Sequence, residues 1–419
     1  MNEFKLTIAP KKITLFVLFW TIISDTLIAE LKFPSYIQYF NDIAWIILLY
    51  FIFKRNFFEK FKMWHLQSIN FSLIIYALAC MISSIVNLVN PLLIIWAVRN
   101  TARFYIFYIA CVLYFQKKDV IVIFDKFFVI QIISFVISLY QYFILGYHMD
   151  TLGGIFGHGN GAALNTFQAL LFAYYLNGFL KKKQPFYKLV IITITSLIIA
   201  ALAEEKAFFV YLIIVTFGTV ILNKPTLKTI IIIAGLFFSI PIAMNLLASV
   251  NESWNLEVLT DVNRSLKYMD QSYGLSRLNP FPQIKSLFFG NSIVKNLFGI
   301  GFGASENCDA TLIFTSDFYR KYGYLQYFDF THQKKFIELG LLGFASYLLF
   351  FIITIINSLN MIFIKRKKEY QNYTMVVFAA VALISCMFSG ALIYNDAYII
   401  YFGLAVSSIY IKDYYCKEG

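Results

Sequence analysis

A histidine and a few basic side chains that interrupt long apolar runs are the residues of this sequence best suited to chemistry. His332 stands in the segment 331–335, Thr-His-Gln-Lys-Lys, directly before an apolar stretch. A histidine near a helix N-terminus meets the positive end of the helix dipole, which disfavours imidazolium and leaves a neutral ring able to accept a proton. His332 is therefore a candidate general base, with a capping or packing histidine as the alternative.

The spacing around His332 does not support a metal site. Glu338 follows His332 by six residues, roughly 240° around an α-helix, so the two side chains cannot share one face as ligands. The five cysteines lie far apart and show no paired ligand spacing. The sequence therefore predicts no metal centre and no zinc hydrolase, and Glu338 is kept as a supporting residue.

Arg277 is a candidate ligand for a diphosphate. A guanidinium binds such an anion in a fork and keeps its proton, although a solvated loop arginine is the alternative. The segment 299–303, Gly-Ile-Gly-Phe-Gly, follows it and could turn tightly through Gly301 and Gly303. A nucleotide-binding loop is disfavoured there, because the pattern of a strand before it and a helix after it is missing.

Three further basic residues stand out by position. Lys206, next to Glu205, interrupts an apolar stretch at an expected outer turn, so it is a functional candidate or the partner of that glutamate. Arg99 and Arg103 are four residues apart and share one helix face inside an apolar run. They bind a lipid-linked anion or pair with a buried acid such as Asp396 or Glu205, and both readings remain open.

The segment 153–161 is rich in glycine and contains His158 and Asn160. Such a turn lets main-chain amides approach a ligand, or lets helices cross closely. His158 is a candidate second base or a capping residue, and Asn160 is a candidate supporting residue.

The composition indicates an all-α, polytopic integral membrane protein. Of the 419 residues, 60% are hydrophobic and only 14% are charged, which makes lipid part of the solvent. About twelve apolar runs are long enough to span a bilayer, near residues 13–31, 36–53, 68–88, 91–115, 119–145, 158–180, 186–203, 207–222, 228–248, 333–364, 372–393 and 396–411. We predict spans 1–9 in residues 1–248, an outer loop with the catalytic residues in 249–331, and spans 10–12 with a tail in 332–419.

The charge pattern predicts the topology. Seven basic clusters, which hold 21 of the 35 lysines and arginines, fall between apolar runs and all on one side. By the positive-inside rule this side is the cytoplasm, so both termini are cytoplasmic, and the net charge of +12 does not indicate nucleic acid binding. Within the outer loop, Pro280–Phe289 is predicted to form a short helix on the outer leaflet.

In their order and topology these motifs resemble the O-antigen ligase and surface-polysaccharide polymerase family of bacterial membrane glycosyltransferases. The similarity covers most of residues 150–350: the turn 154–160, Lys206 where the family commonly has Ser-Arg, Arg277 followed by 299–303, and His332 leading into 338–343. His332 is followed by Gln333 where the family commonly has asparagine. The resemblance implies a fold like that of the GT-C membrane glycosyltransferases, with no metal, no nucleotide sugar and no other cofactor.

The resemblance also implies the reaction. An undecaprenyl-diphosphate-linked glycan would be the donor at the outer face of the bacterial cytoplasmic membrane, with Arg277 and Lys206, together with Arg99 or Arg103, on its diphosphate and His332 as the base. Polymerase, acting on a lipid-linked repeat unit, is preferred over ligase, acting on lipid A core or protein. Membrane lipid and the glycan substrates are the expected partners, with a chain-length regulator and a flippase as further ones. A lipid-linked-oligosaccharide flippase or other permease is the alternative of another class, although no internal repeat supports it.

Overall fold

The structure is a computed structural model that describes residues 2–54, 64–148, 151–223, 234–235, 274–308 and 311–418, without the side chains of 2–8, 64–66, 206 and 415–418. The described residues form helices and turns and contain no strand. The helices are α1 (Asn2–Ala29), α2 (Phe40–Lys54), α3 (Trp64–Val86), α4 (Pro91–Tyr114), α5 (Lys117–Phe143), α6 (Gly161–Leu180), α7 (Phe186–Leu202), α8 (Lys206–Asn223), α9 (Pro280–Ile284), α10 (Ile293–Phe298), α11 (Asp317–Tyr322), α12 (Thr331–Phe363), α13 (Tyr370–Phe388) and α14 (Ala397–Glu418).

The long helices coincide with the predicted spans, and the all-α membrane fold is confirmed. Within the described residues, seven helices are long and apolar enough to cross a membrane, namely α1 to α5, α12 and α13, while α7 and most of α8 are apolar but shorter. Only residues 234–235 of the ninth predicted span, near 228–248, are among the described residues. The count of twelve spans therefore stays a prediction.

The helix surfaces carry large apolar side chains that no other described residue covers. Ile85 is 66% exposed, Ile95 63% and Val136 60%, and they lie on three different helices. Apolar patches of this kind are stable only against another apolar medium. The bundle is thus embedded in a membrane, with these faces against lipid.

Contacts between antiparallel helices place the basic clusters at one end of the bundle. The Lys11 ammonium lies 2.7 Å from the Asp119 carboxylate, and the Gln184 amide donates to the Tyr370 hydroxyl at 3.2 Å. We call this the basic end; it is defined by Lys11, Lys54, Lys117, Lys181 and Lys365. The described clusters therefore lie together as predicted, and the assignment of this end to the cytoplasm stays a prediction.

The opposite end of the bundle holds most of the candidate site residues, and we call it the site end. It is defined by Asp42, Arg99, Asn160, Arg277 and His332. There the Asn41 amide donates to the Thr21 hydroxyl at 3.0 Å, and the Ser83 hydroxyl donates to the main-chain oxygen of Phe298 at 2.6 Å. The boundary predicted at 331/332 coincides with the start of α12, whereas the boundary at 248/249 lies outside the described residues.

Helix α12 is interrupted at Gly340, whose φ is 60° and ψ is −159°. The interruption frees the main-chain oxygens of Ile337 and Glu338, which accept hydrogen bonds from the amides of Ile300 and Gly301 at 2.9 and 3.0 Å. A Cβ at Gly340 would clash with the main chain at Leu297 and Gly299. The glycine-rich segment 299–303 therefore belongs to the packing of this kink, which fixes the loop before α12 to that helix. We keep the name outer loop for it from the predicted topology.

The short helix predicted for residues 280–289 is present in the loop before α12. Helix α9 begins at Pro280, and a π-helical turn continues it from Lys285 to Phe289. Its apolar side packs on the start of α12, with the rings of Phe281 and Phe336 4.6 Å apart, while Leu287 is 57% exposed. The helical conformation is confirmed, and its contact with the outer leaflet stays a prediction.

Candidate functional site

His332 is buried at the start of α12 with both ring nitrogens against main-chain oxygens. Nδ1 lies 2.9 Å from the oxygen of Cys386, and Nε2 lies 3.1 Å from that of Arg277. The residue is only 1% exposed. Because a carbonyl oxygen can only accept, a neutral ring donates to one of the two, and only the protonated ring donates to both. In this arrangement neither nitrogen is free for a substrate hydroxyl, and the general-base role stays a prediction that requires the ring to leave one carbonyl.

The residue after His332 fixes the same segment of the outer loop. The Gln333 amide donates to the main-chain oxygen of Ser276 at 3.1 Å. The Ser276 amide in turn donates to Gln283 at 2.8 Å. The first turn of α12 and helix α9 therefore hold residues 276–277 from both sides.

The guanidinium of Arg277 is left available by this arrangement. It lies over the ring of Phe330, with Cζ 5.1 Å from the centroid, and its buried Nε has no hydrogen-bond partner among the described residues. Burial raises the pKa of the neighbouring Asp329 carboxyl, and the charge of Arg277 opposes this rise. A buried guanidinium nitrogen without a partner is uncommon and is the kind of group that an anion satisfies.

A chain of polar contacts joins α2, α4, the outer loop and α12. Asp42 pairs with Arg99, whose Nη1 donates to Asn100 at 2.6 Å. The Asn100 amide donates to Glu306 at 2.8 Å, and the other oxygen of Glu306 lies 2.8 Å from the Lys334 ammonium. Glu306 is 2% exposed. Buried charges of this kind must be paired, so these contacts hold the outer loop on the membrane bundle.

Arg103 completes the same group of charges. Its Nη1 lies 3.8 Å from Asp42, and its Cζ lies 4.6 Å from the ring centroid of Phe104. Its buried Nε has no hydrogen-bond partner in the described part of the chain. The acid that pairs with both arginines is thus Asp42, which the sequence did not single out, and anion binding by Arg99 and Arg103 stays a prediction.

Glu338 and Lys335 lie deeper, just before the kink. Ser305 donates to Oε1 of Glu338 at 2.8 Å, while Oε2 is buried without a hydrogen-bond partner in the part of the chain that is described. The Lys335 ammonium lies 3.4 Å from the Thr101 hydroxyl and is 3% exposed. Ionisable residues inside a membrane bundle usually mark a functional region.

The turn 153–160 packs against the end of α1. Asn160 donates to the main-chain oxygen of Phe156 at 2.8 Å and lies 3.4 Å from Asp25. His158 is exposed and stands edge-on to Tyr147, with ring centroids 4.6 Å apart. The turn is placed at the site end as predicted, and a second-base role for His158 remains untested.

The remaining candidates are placed by their main chain. Lys206 begins α8 directly after the turn that contains Glu205, and its side chain lies outside the described residues. The main-chain amide of Gly301 donates a hydrogen bond to the main-chain oxygen of Glu338, and Gly303 packs against the main chain of Leu93. These two glycines therefore serve the packing of the loop against α12 and α4. Among the described residues, no group of three or more histidine, cysteine or acidic side chains could hold a metal ion.

Four residues of the polar chain were missed by sequence reasoning, namely Asp42, Asn100, Glu306 and Lys334. A signal existed for Lys334, which, like Lys206, lies outside the seven basic clusters and on the predicted outer side. No family model matches this chain, and no curated protein matches it in sequence.

Proposed function

We propose that this chain is a polysaccharide polymerase that transfers a glycan from a polyprenyl diphosphate at the outer face of the bacterial cytoplasmic membrane. The observation that carries the proposal is the Arg277 guanidinium, held at the site end with a buried Nε that has no partner among the described residues. Arginine recognises a diphosphate by a fork of donors.

The surrounding charges favour an anionic substrate. One connected group of charges at the site end contains the cations Arg99, Arg103, Lys334 and Lys335 and the acids Asp42, Glu306 and Glu338, a surplus of one positive charge within this group. Arg277 and its neighbour Asp329 add one charge of each sign, and Asp25 and Asp396 lie at the same end outside the group. A buried site with surplus positive charge stabilises a leaving group whose negative charge grows.

The proposed reaction balances without a further reactant. The oxygen of an acceptor hydroxyl bonds to the anomeric carbon, and the bond from that carbon to the diphosphate oxygen breaks with its electron pair. The hydroxyl proton passes to a base, for which His332 is the candidate, and direct in-line attack inverts the anomeric carbon. For His332 to act so, its ring must release the carbonyl of Arg277, which requires the segment 276–277 to move when the donor binds.

The structure of the loop fits a lipid-linked donor. Helix α9 and the exposed Leu287 lie beside the site, so the polyprenyl chain would enter from the lipid between helices while the glycan stays outside. A lipid-linked repeat unit as acceptor makes the protein a polymerase; lipid A core or protein as acceptor would make it a ligase. A chain-length regulator and a flippase would then be its partners in the membrane.

Arg277→Lys tests the proposal in vesicles that contain the purified protein, a polyprenyl-diphosphate-linked repeat unit and no other enzyme. The change keeps the charge and loses the fork, so transfer should slow by about 1–3 kcal/mol of barrier, on the order of tenfold to a hundredfold. Lys285→Gln removes an exposed charge from the same loop and is the matched control. Normal chain growth by Arg277→Lys contradicts the diphosphate role, and translocation of the donor without transfer identifies a flippase instead.

A further inference from the structure

Two basic turns lie side by side at the basic end. Lys181–Lys183 follow α6, and Lys365–Lys368 join α12 to α13. The Lys181 ammonium lies 4.2 Å from the ring centroid of Tyr373, and Gln184 donates to the hydroxyl of Tyr370. Both contacts join the first basic turn to the start of α13. Because α13 follows the second basic turn, the two turns lie next to each other.

No carboxylate among the described residues neutralises the charges of these two turns. Within the described residues no carboxylate lies within 4.0 Å of their nitrogens. Burial lowers the pKa of Lys181, and the charge of Lys368 lowers it further. The corner thus brings together seven basic residues and one acid, Glu369.

Exposed apolar side chains border this corner. Phe186 and Tyr187 follow the first turn and are 51% and 58% exposed, and Phe363 and Ile364 precede the second and are 58% and 70% exposed. A ligand with anionic groups alone would gain nothing from these four side chains. A lipid places its phosphates on the lysines and its acyl chains on the apolar border.

We propose that the corner formed by Lys181–Lys183 and Lys365–Lys368 is a binding site for an anionic glycerophospholipid with two phosphate groups, drawn from the leaflet around the basic end. Each basic turn would hold one phosphate. Two lysine-rich turns suit this ligand because ammonium groups bind phosphate as mobile point charges. The site is independent of the glycosyl transfer proposed for the other end.

Native mass spectrometry of the purified protein with a four-chain, two-phosphate lipid tests the site. The double variant Lys182→Gln/Lys183→Gln should retain this lipid about tenfold less than the wild type, since each basic residue near a membrane surface contributes measurably to binding. Lys365→Gln/Lys368→Gln should do the same from the other turn. Lys117→Gln/Lys118→Gln removes two charges from the same end outside the corner and is the matched control.

Three outcomes overturn the proposal. Equal loss of lipid in the control variant means that general surface charge, and not this corner, attracts the lipid. If the wild type retains a one-phosphate lipid as well as the two-phosphate lipid at the same total phosphate concentration, the site does not select a lipid with two phosphates. Equal competition by the deacylated headgroup shows a soluble polyanion site, because such a ligand does not use the apolar border.

Discussion

The Nε2 atom of His332 lies 3.1 Å from the main-chain oxygen of Arg277, which joins the first turn of α12 to the residue proposed to hold the diphosphate. On its other side the same ring contacts the oxygen of Cys386 on α13. The imidazole therefore bridges two segments of the protein. Its contacts in this conformation position Arg277, so loss of the ring should change donor binding as well as turnover.

If the ring acts only by positioning Arg277, His332→Ala should raise the donor KM and lower kcat together, because the segment 276–277 loses one of its attachments. In that case His332→Asn should retain more activity than His332→Ala, since an amide can still donate to one of the two carbonyls. Steady-state transfer rates at several donor concentrations, with protein abundance measured in parallel, provide the test.

The base role gives a different pattern in the same experiment. Loss of a positioned base typically slows turnover by about 100-fold to 10,000-fold and leaves binding unchanged. Equal inactivity of His332→Ala and His332→Asn, with the donor KM of the wild type, would establish His332 as the base and refute the positioning role.

Removing one partner of the buried ion pair between Glu306 and Lys334 should strongly lower the free energy of unfolding. Lys334→Met leaves the Glu306 carboxylate uncompensated and should lower the free energy of unfolding by about 3–5 kcal/mol. The double variant Glu306→Gln/Lys334→Met should lose less than Lys334→Met alone. Denaturation in detergent measures both variants.

The exposed pair of Arg320 and Asp317 is the matched control for that experiment, because its side chains are 52% and 99% exposed. Arg320→Met should change the free energy of unfolding by less than about 0.5 kcal/mol. If Lys334→Met is equally mild, the polar chain does not hold the outer loop on the bundle.

The helices were predictable because apolar runs of span length can bury their main chain in lipid only as helices. The start of α12 before His332 and the shared face of Arg99 and Arg103 followed from the same local rules. The contact partners of these residues could not be predicted by such rules. Asp42 precedes Arg99 by 57 positions, and no local pattern indicates which of the acids a distant arginine will meet.

The environment of His332 was beyond sequence reasoning for a different reason. Its ring contacts main-chain oxygens, which every residue possesses, so the identities of Arg277 and Cys386 contain no trace of the contact. The glycine-rich segment 299–303 was ambiguous in the same way. Its conformation depends on the interrupted turn at Gly340, a feature of the tertiary packing.

Gly340→Ala should destabilise the protein and lower activity, because a side chain there meets both an unfavourable φ of 60° and the main chain of Leu297 and Gly299. Gly146→Ala separates the two effects, since Gly146 has a φ of 69° and open space around it. The control should lose only about 1–2 kcal/mol of stability. Equal thermal shifts for the two variants would show that the close approach at the kink contributes nothing.

The stability of the site end should depend on pH through Asp396, which lies between α13 and α14. Burial, and secondly the charge of Asp25, raise the pKa of Asp396 from 3.8 to about 7. At a pH between 3.8 and about 7, the Asp396 carboxyl is ionised in the unfolded chain and protonated in the native protein. Native protein then binds more protons than unfolded protein, so stability falls as pH rises from about 4 to 7 and levels off above.

Asp396→Asn should flatten this part of the profile and make the variant more stable than the wild type at pH 8, because an amide has no charge to bury. Melting temperatures in detergent between pH 4 and pH 8 measure the effect. Asp317→Asn, at a carboxylate that is 99% exposed, should leave the slope of the wild type unchanged. A wild-type profile that rises over this range would mean that Asp396 is ionised in the native protein and that a cation, such as a basic side chain or a bound ion, lies against the Asp25 and Asp396 carboxylates.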